Sequence, residues 1–194
     1  MNWKNTLFLI GILIALSGYL YFVEIRGADE KRLTEAKKKR QEWQSTQVFP
    51  YQPQEFKQIK LVKDGKTIIY QKHDDVWWMK EPFNIEGSEE AVNDIIYSIL
   101  NLVETDPVDD NPSDLAQFGL HQPPILIAVE LEGAAGGKTV LLGNDNPTSI
   151  TLYATAEGSP RVFLVGSLIR WEVSKEFLHL NNRTGPFFAD KKET

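Results

Sequence analysis

The alternation of apolar and polar residues changes character several times along the chain, and each change predicts an element. From Asn5 to Val23 the run NTLFLIGILIALSGYLYFV holds no charge, with Lys4 before it and Glu24 and Arg26 after it. A helix of about 20 such residues, rising ~1.5 Å each, spans roughly the 30 Å hydrocarbon core of a bilayer. Trp3 stands at one end and Tyr19, Tyr21 and Phe22 near the other, where amphipathic rings prefer the headgroup level. The pattern predicts a transmembrane anchor over residues 1–26. A competing reading is a cleaved signal peptide, with Lys4 ahead of the apolar stretch Leu7 to Leu16 and Ala15-Leu16-Ser17 as the cleavage site. The run continues through Tyr19 to Val23, longer than such a peptide needs, which favours a retained anchor. Gly11, Ala15 and Gly18 fall on one helix face. They are small enough to admit a second helix, or they simply face lipid.

Residues 27–49 then read as a helical stalk. Strong helix formers dominate, no Gly or Pro follows Gly27, and Leu33, Ala36, Arg40 and Trp43 give only a thin apolar stripe. Pro50 and Pro53 end it and open a soluble domain over residues 50–188. Ile59 to Leu61 and Thr67 to Tyr70 flank Asp64-Gly65, a strong hairpin signal, and Val76 to Met79 adds a third strand. Between Ser88 and Val103 the period becomes helical: Val92, Ile95, Ile96, Ile99, Leu102 and Val103 share one face, with Ser88 as the expected N-cap. Asp106 to Pro112 reads as a polar break, and Asp114 to Leu120 as a short helical turn ended by Gly119. Four further strands are expected at Ile125–Leu131, Thr139–Leu142, Ile150–Ala154 and Val162–Val165, then a helix from Ser167 to Val173. The end of the chain, Asn181 to Thr194, reads as a loose edge, with 189–194 as a flexible tail. The expected fold class is therefore α+β: an N-terminal transmembrane helix and stalk, then antiparallel β meanders packed with one main amphipathic helix. No repeat period is obvious, although the two meanders could be loosely similar halves.

Charge divides the chain. Eight Lys/Arg stand against five Asp/Glu through Ser45, and 13 against 22 beyond it. An acidic domain of this kind is a poor match for a phosphate backbone, so nucleic acid is not an expected partner. The absence of cysteine removes disulfides, thiolate metal sites and a thiol nucleophile. Topology is contested within the sequence. Arg26, Lys31, Arg32 and Lys37 to Arg40 after the run point the domain to the cytoplasm, whereas a short positive start before a long apolar run is how a signal-anchor begins export.

Candidate chemistry is sparse. Gly133 to Thr139, GAAGGKT, resembles a phosphate-binding loop, but its glycine spacing is one residue short and it leads into a strand instead of a helix. Asp106, Asp109, Asp110, Asn111 and Asp114 crowd oxygen ligands without the spacing of a calcium loop, and turn and capping roles account for them. His73, His121 and His179 are scattered. No catalytic, metal or cofactor site is therefore expected. Trp77 and Trp78 are adjacent on a predicted strand and must face opposite ways, which makes them candidates for an interface.

Several local patterns carry a family resemblance. They are Trp3-Lys4-Asn5-Thr6-Leu7 entering the apolar run, Trp78 with Ile85, Asp114-Leu115-x-x-Phe118-Gly119-Leu120-x-x-Pro123, Leu142-Gly143-Asn144 and Leu152-Tyr153-Ala154. In these the chain resembles a bacterial domain-of-unknown-function family, number 4340, whose members occur beside ABC transporters of the gliding-motility type. The resemblance implies a single-pass inner-membrane protein with a periplasmic domain, an accessory to an ABC-type export machine. It supplies no catalytic residues. The expected function is that of a noncatalytic interaction subunit of an envelope complex, whose partners are the lipid bilayer and integral membrane subunits such as ABC transporter components. The alternative is a periplasmic carrier whose two meanders enclose an apolar groove for lipid or another small ligand.

Overall fold

The computed structural model describes residues 3–21, 27–87, 89–133, 136–148 and 150–191. The chain divides into two units, Met1–Ser45 and Thr46–Thr194. In the first, helix α1 (Trp3–Leu20) takes up most of the uncharged run, and Phe22, Val23, Glu24 and Arg26 lie outside the described residues. Leu7, Phe8, Leu9, Leu13 and Ile14 on it are all more than half exposed. Its 18 residues make a helix about 27 Å long. Among the described residues no helix is long and apolar enough to cross a membrane. Helix α2 (Gly27–Thr46) is polar around its circumference, with Leu33 and Trp43 exposed and an exposed Lys38–Glu42 pair one turn apart. It ends at Thr46. Val48 and Phe49, expected in the stalk, are buried in the core of the second unit, where the Val48 amide donates to the Leu102 carbonyl.

That second unit is built on one antiparallel sheet of nine strands. In chain order they are β1 (Phe56–Lys63), β2 (Lys66–His73), β3 (Val76–Glu81), β4 (Ile85–Gly87), β5 (Glu104–Asp109), β6 (Ile125–Leu131), β7 (Gly137–Asp145), β8 (Thr151–Ala156) and β9 (Val162–Gly166). Across the sheet the order is β4-β3-β2-β1-β6-β7-β8-β9-β5. Asp64 and Gly65 both adopt positive φ, 49° and 76°, the left-handed pair that a tight two-residue hairpin requires. The alternation along each strand sends Ile59, Leu61, Ile68, Tyr70, Trp77 and Met79 to one face, together with Ile127, Val129, Val140, Leu142 and Leu152. Helices α3 (Glu90–Leu100) and α4 (Leu168–Asn182) close that face.

Two helices thus serve the sheet where the sequence predicted one main helix. Ile169, Val173, Glu176 and Phe177 form a buried stripe, and it carries α4 well past Val173. Helix α3 is shorter than its apolar pattern: Leu102 is buried and Val103 bridges to Gln47, both beyond its last turn. Ser88, the expected N-cap, lies outside the described residues. The polar break at Asp106 is instead strand β5. Pro107 and four acids within and beside it hid the strand, and both features belong at an edge. The chain end is not loose as far as Phe188, because Phe187 and Phe188 are buried in the core.

The two meanders are halves of a duplicated unit. Strands β1 to β4 followed by α3 match β6 to β9 followed by α4. They join where β1 pairs with β6, symmetrically about Leu61 and Ile127, with Lys60 opposite Ala128 and Val62 opposite Leu126. Lys66-Thr67-Ile68-Ile69 in β2 corresponds to Lys138-Thr139-Val140-Leu141 in β7, and Trp77-Trp78-Met79 in β3 to Leu152-Tyr153-Ala154 in β8. Turns of unequal length shift the spacing between matched residues, so no fixed period survives in the sequence.

The face away from the helices is unevenly covered. Residues 110–124, which link edge strand β5 to central strand β6, cross the second half. Phe118 lies 5.0 Å from Tyr153, ring to ring, and Leu120 and Val162 are buried outside the main core. Gly143 permits this approach, since a Cβ there would collide with the Phe118 carbonyl oxygen and stand 3.1 Å from the Leu120 side chain. Gly143→Ala is expected to destabilise the domain by about 1–3 kcal/mol. Gly166→Ala, where a Cβ meets nothing within 4 Å, should stay within about 0.5 kcal/mol of the parent. Urea denaturation measures both, and equal midpoints for the two variants would show that the link does not rest on Gly143.

Candidate functional site

On the first half no comparable link covers the sheet among the described residues. The segment ahead of β1 turns to the helix side, where Val48, Phe49 and Phe56 join the core, and the terminal turn Pro186–Lys191 does the same through Phe187, stacked 5.1 Å from Tyr70. Pairing aligns Glu86, Trp78, Gln71, Gln58 and Glu130 in one row across five strands. A second row holds Ile69, Lys60, Ala128 and Thr139. Trp78, Ile69 and Ala128 are half-buried, with Lys60 between Ile69 and Ala128, and Gln71 and Glu86 on either side of Trp78. The Lys80 ammonium sits 4.7 Å from the Trp78 ring and bonds Asn84 Oδ1 at 3.0 Å. Gln58 donates to Glu130 across β1 and β6 at 2.9 Å. Neither Lys60 nor Lys80 has a carboxylate partner among the described residues.

Elsewhere the charged groups are satisfied locally. Arg161 grips Glu104 through both terminal nitrogens and reaches Asp110 at 3.1 Å, pinning the start of the crossing link to the β8–β9 turn. Asp109 accepts from the Asn111 amide and Asp114 from the Ala116 amide, so the acidic run spends its oxygens on turns. Among the described residues no group of three or more His, Cys, Asp or Glu converges as a metal site would require. Gly133 and Gly136 sit in the β6–β7 hairpin turn, and Ala134 and Ala135 lie outside the described residues. A shallow cleft of about 460 Å³ opens between Lys63, Asp64, Pro124, Asp145 and Arg170, and its cations are already paired, Lys63 with Asp64 and Arg170 with Asp145. Burial lowers the pKa of Lys138, whose ammonium donates to the Val48 carbonyl.

One buried polar pair ties the two halves together. The Tyr70 hydroxyl on β2 donates to Glu176 on α4 at 2.6 Å, with both side chains inside the core. Burial pushes the Glu176 carboxyl above the usual carboxylate range. The Tyr70 hydrogen bond and the Lys175 charge oppose that shift, and Asp94 and Glu172 add to it. Tyr70 itself is pushed well up by burial and by the carboxylate.

The sequence-selected residues are separated. Gly11, Ala15 and Gly18 lie on exposed α1, where no described atom approaches a Cβ built on either glycine. Trp77 is 2% exposed and belongs to the core; Trp78 faces the other way. Sequence reasoning missed the Tyr70–Glu176 pair, whose one signal is a lone acid within the buried stripe of α4. It also missed the role of Lys80, which looks like an ordinary strand lysine until its ammonium is seen against the Trp78 ring.

Together these features define an α+β module in which a duplicated meander-and-helix unit forms one sheet, closed on one face and half closed on the other. The chain belongs to the family described as a domain of unknown function, DUF4340, whose profile matches residues 77–184. No curated protein and no solved structure matches it.

The raised pKa of Glu176 sets a pH dependence. A carboxyl whose folded pKa exceeds its unfolded value, about 4.3, favours folding fully below that unfolded value. The contribution is lost as pH rises through the folded pKa. Glu176→Gln, which keeps an acceptor for Tyr70 without the charge, is expected to be more stable than the parent at pH 7, with the gap closing on acidification. Denaturant unfolding from pH 4 to 8 reads this, and a gap independent of pH would refute it. Tyr70→Phe strands the carboxylate and should cost about 1–3 kcal/mol at pH 7.

Proposed function

We propose that this protein is a membrane-anchored, noncatalytic interaction subunit of a bacterial envelope complex, with its folded domain on the periplasmic side of the inner membrane. The observation that carries this reading is α1, where a continuous set of large apolar side chains, Leu7, Phe8, Leu9, Leu13 and Ile14 among them, is exposed. Lipid, or other helices within lipid, is the natural cover for such a surface. The uncharged run extends beyond the described helix to Val23, which brings it to the length a bilayer requires. Gly11, Ala15 and Gly18 give it a face on which a neighbouring transmembrane helix packs.

The domain acts through contacts. Its sheet edges are poor docking strands, because β4 has three residues and β5 carries Pro107 and acids. The half-open face around Trp78 is the better surface. An ABC-type transporter as the complex it serves follows from the family resemblance alone. The carrier alternative gains no support, since the two meanders lie side by side in one sheet and the helix face between them is packed with side chains.

The chain is expected to remain in the membrane pellet after alkaline carbonate extraction, and Ile12→Arg, worth about 2.5–3.5 kcal/mol against insertion, should shift it toward the supernatant. An export-dependent reporter fused at the C-terminus should be active. Complete release of the unmodified chain by carbonate would overturn the anchor. Consistent recovery from mild detergent without integral membrane subunits would overturn the accessory role.

A further inference from the structure

We infer that one half of helix α2 lies on the bilayer as a binding surface for anionic phospholipid headgroups. The inference rests on the anchor proposed for α1, which brings α2 to the membrane, and it adds the chemistry that the membrane must present. Helix α2 is polar all round, yet its charges are sorted. At 3.6 residues per turn, Arg32, Lys37, Lys39 and Arg40 share one half of its circumference with Leu33, Ala36 and Trp43. The acids beyond the first turn, Glu35 and Glu42, both fall on the other half. Lys31 and Lys38 precede them there by four residues each, and the Lys38 ammonium stands 3.8 Å from Glu42. Asp29 alone of the helix's acids shares the basic half by position, in the first turn, where the positive end of the helix favours an acid. No described carboxylate pairs with Arg32, Lys37, Lys39 or Arg40, and every residue from Arg32 to Thr46 is exposed.

Charge and reach together identify the occupant. Four cations with Leu33, Ala36 and Trp43 among them, and no acid after the first turn, match phosphate headgroups lying over acyl chains. An acidic protein segment would meet the cations too, but reach puts lipid ahead of it. Val23, the last residue of the uncharged run, stands four residues before Gly27, so α2 begins within about 14 Å of the anchor's end even along a fully extended chain. Orientation then decides whether the cations meet lipid. Upright, α2 would carry Lys37 about 15 Å beyond Gly27 at ~1.5 Å per residue, roughly twice the ~8 Å over which a charge is felt at physiological salt. Lying flat, it keeps all four cations within that distance, turns Leu33 and Trp43 toward the acyl boundary and leaves Glu35 and Glu42 in water. An upright spacer has no use for such sorting, since mixed charge around the axis would solvate it equally well.

The test uses the full chain, which has no cysteine, so Ala36→Cys or Gln41→Cys takes a single spin label on the basic half or on the opposite one. Each labelled chain is reconstituted into vesicles of phosphatidylcholine alone and of phosphatidylcholine mixed with phosphatidylglycerol. Collisions with a water-soluble nickel complex and with oxygen report how deep the label sits. In the anionic vesicles the label at 36 should be shielded from nickel and open to oxygen, while the label at 41 stays open to nickel. In the neutral vesicles both should be open to nickel. Lys37→Gln, Lys39→Gln and Arg40→Gln should each lower the ratio of shielded to open label at 36 about fivefold, and added salt should act in the same direction. All these positions are exposed, so the substitutions leave the folded domain intact. Three results would each overturn the inference: both labels open to nickel in the anionic vesicles, which is an upright spacer or a face kept for a protein; equal shielding at 36 in the two lipids, which is apolar contact without charge; or equal shielding at 36 and 41, which is contact between copies. Flotation with the neutral vesicles reads the anchor separately. A chain that does not float there loses the anchor, and the contrast between 36 and 41 in the anionic vesicles still decides the basic half.

Discussion

Everything in the domain depends on the antiparallel pairing of β1 with β6. The two halves meet there about Leu61 and Ile127, and Ile59, Leu61, Ile127 and Val129 bring their side chains to the same face. The local two-fold that relates the strands is therefore perpendicular to the sheet. An axis in that direction exchanges the halves without exchanging the faces, so α3 and α4 must both land on one side. They bury a continuous core between them, and Asp94 with Lys175 links helix to helix at 3.2 Å. The same pairing removes the two inner strand edges. Only the outer edges remain, one too short and the other too acidic to recruit another strand.

The other face inherits the opposite consequence: with both helices committed, nothing in the repeated unit covers it. On the second half the chain solves this with a link between units, made possible by the missing side chain at Gly143 and anchored by Arg161 on Glu104 and Asp110. On the first half the corresponding position in the chain order is filled by Gln47 to Glu55, and that segment is drawn to the helix side by Val48 and Phe49. The asymmetry arises from where each half's preceding segment goes. It leaves Trp78, with Lys80 over its ring and Glu86 opposite it, half-buried on the face that Phe118 and Leu120 cover elsewhere.

Much of this was legible in the sequence, wherever local chemistry decides structure. Asp64-Gly65 placed the first hairpin, the period of Val92 to Ile99 placed α3, and the adjacency of Trp77 and Trp78 required one to point inward and the other outward. Strand β5 was hidden because an edge strand tolerates the proline and acids that argue against a central one. The lower half of α4 was hidden because its stripe includes Glu176, a charged residue whose burial only a partner such as Tyr70 makes tolerable. The duplication was suspected and not demonstrable. It survives in matched burial and in fragments such as Lys66-Thr67 and Lys138-Thr139, and pairing register is needed to align them. The candidate surface was visible as a single tryptophan, while its cross-strand neighbours Gln71 and Glu86 follow only from the pairing register.

The anchor and the open face belong to one account, in which the chain is held at a membrane so that its sheet can meet a partner there. Oxidative footprinting of Trp78 in native membranes, compared with the purified chain, tests that account most directly. The account predicts that Trp78 is modified readily once purified and is strongly protected in the membrane, with the core residue Trp77 unreactive in both. Equal modification of Trp78 in the two states would contradict it.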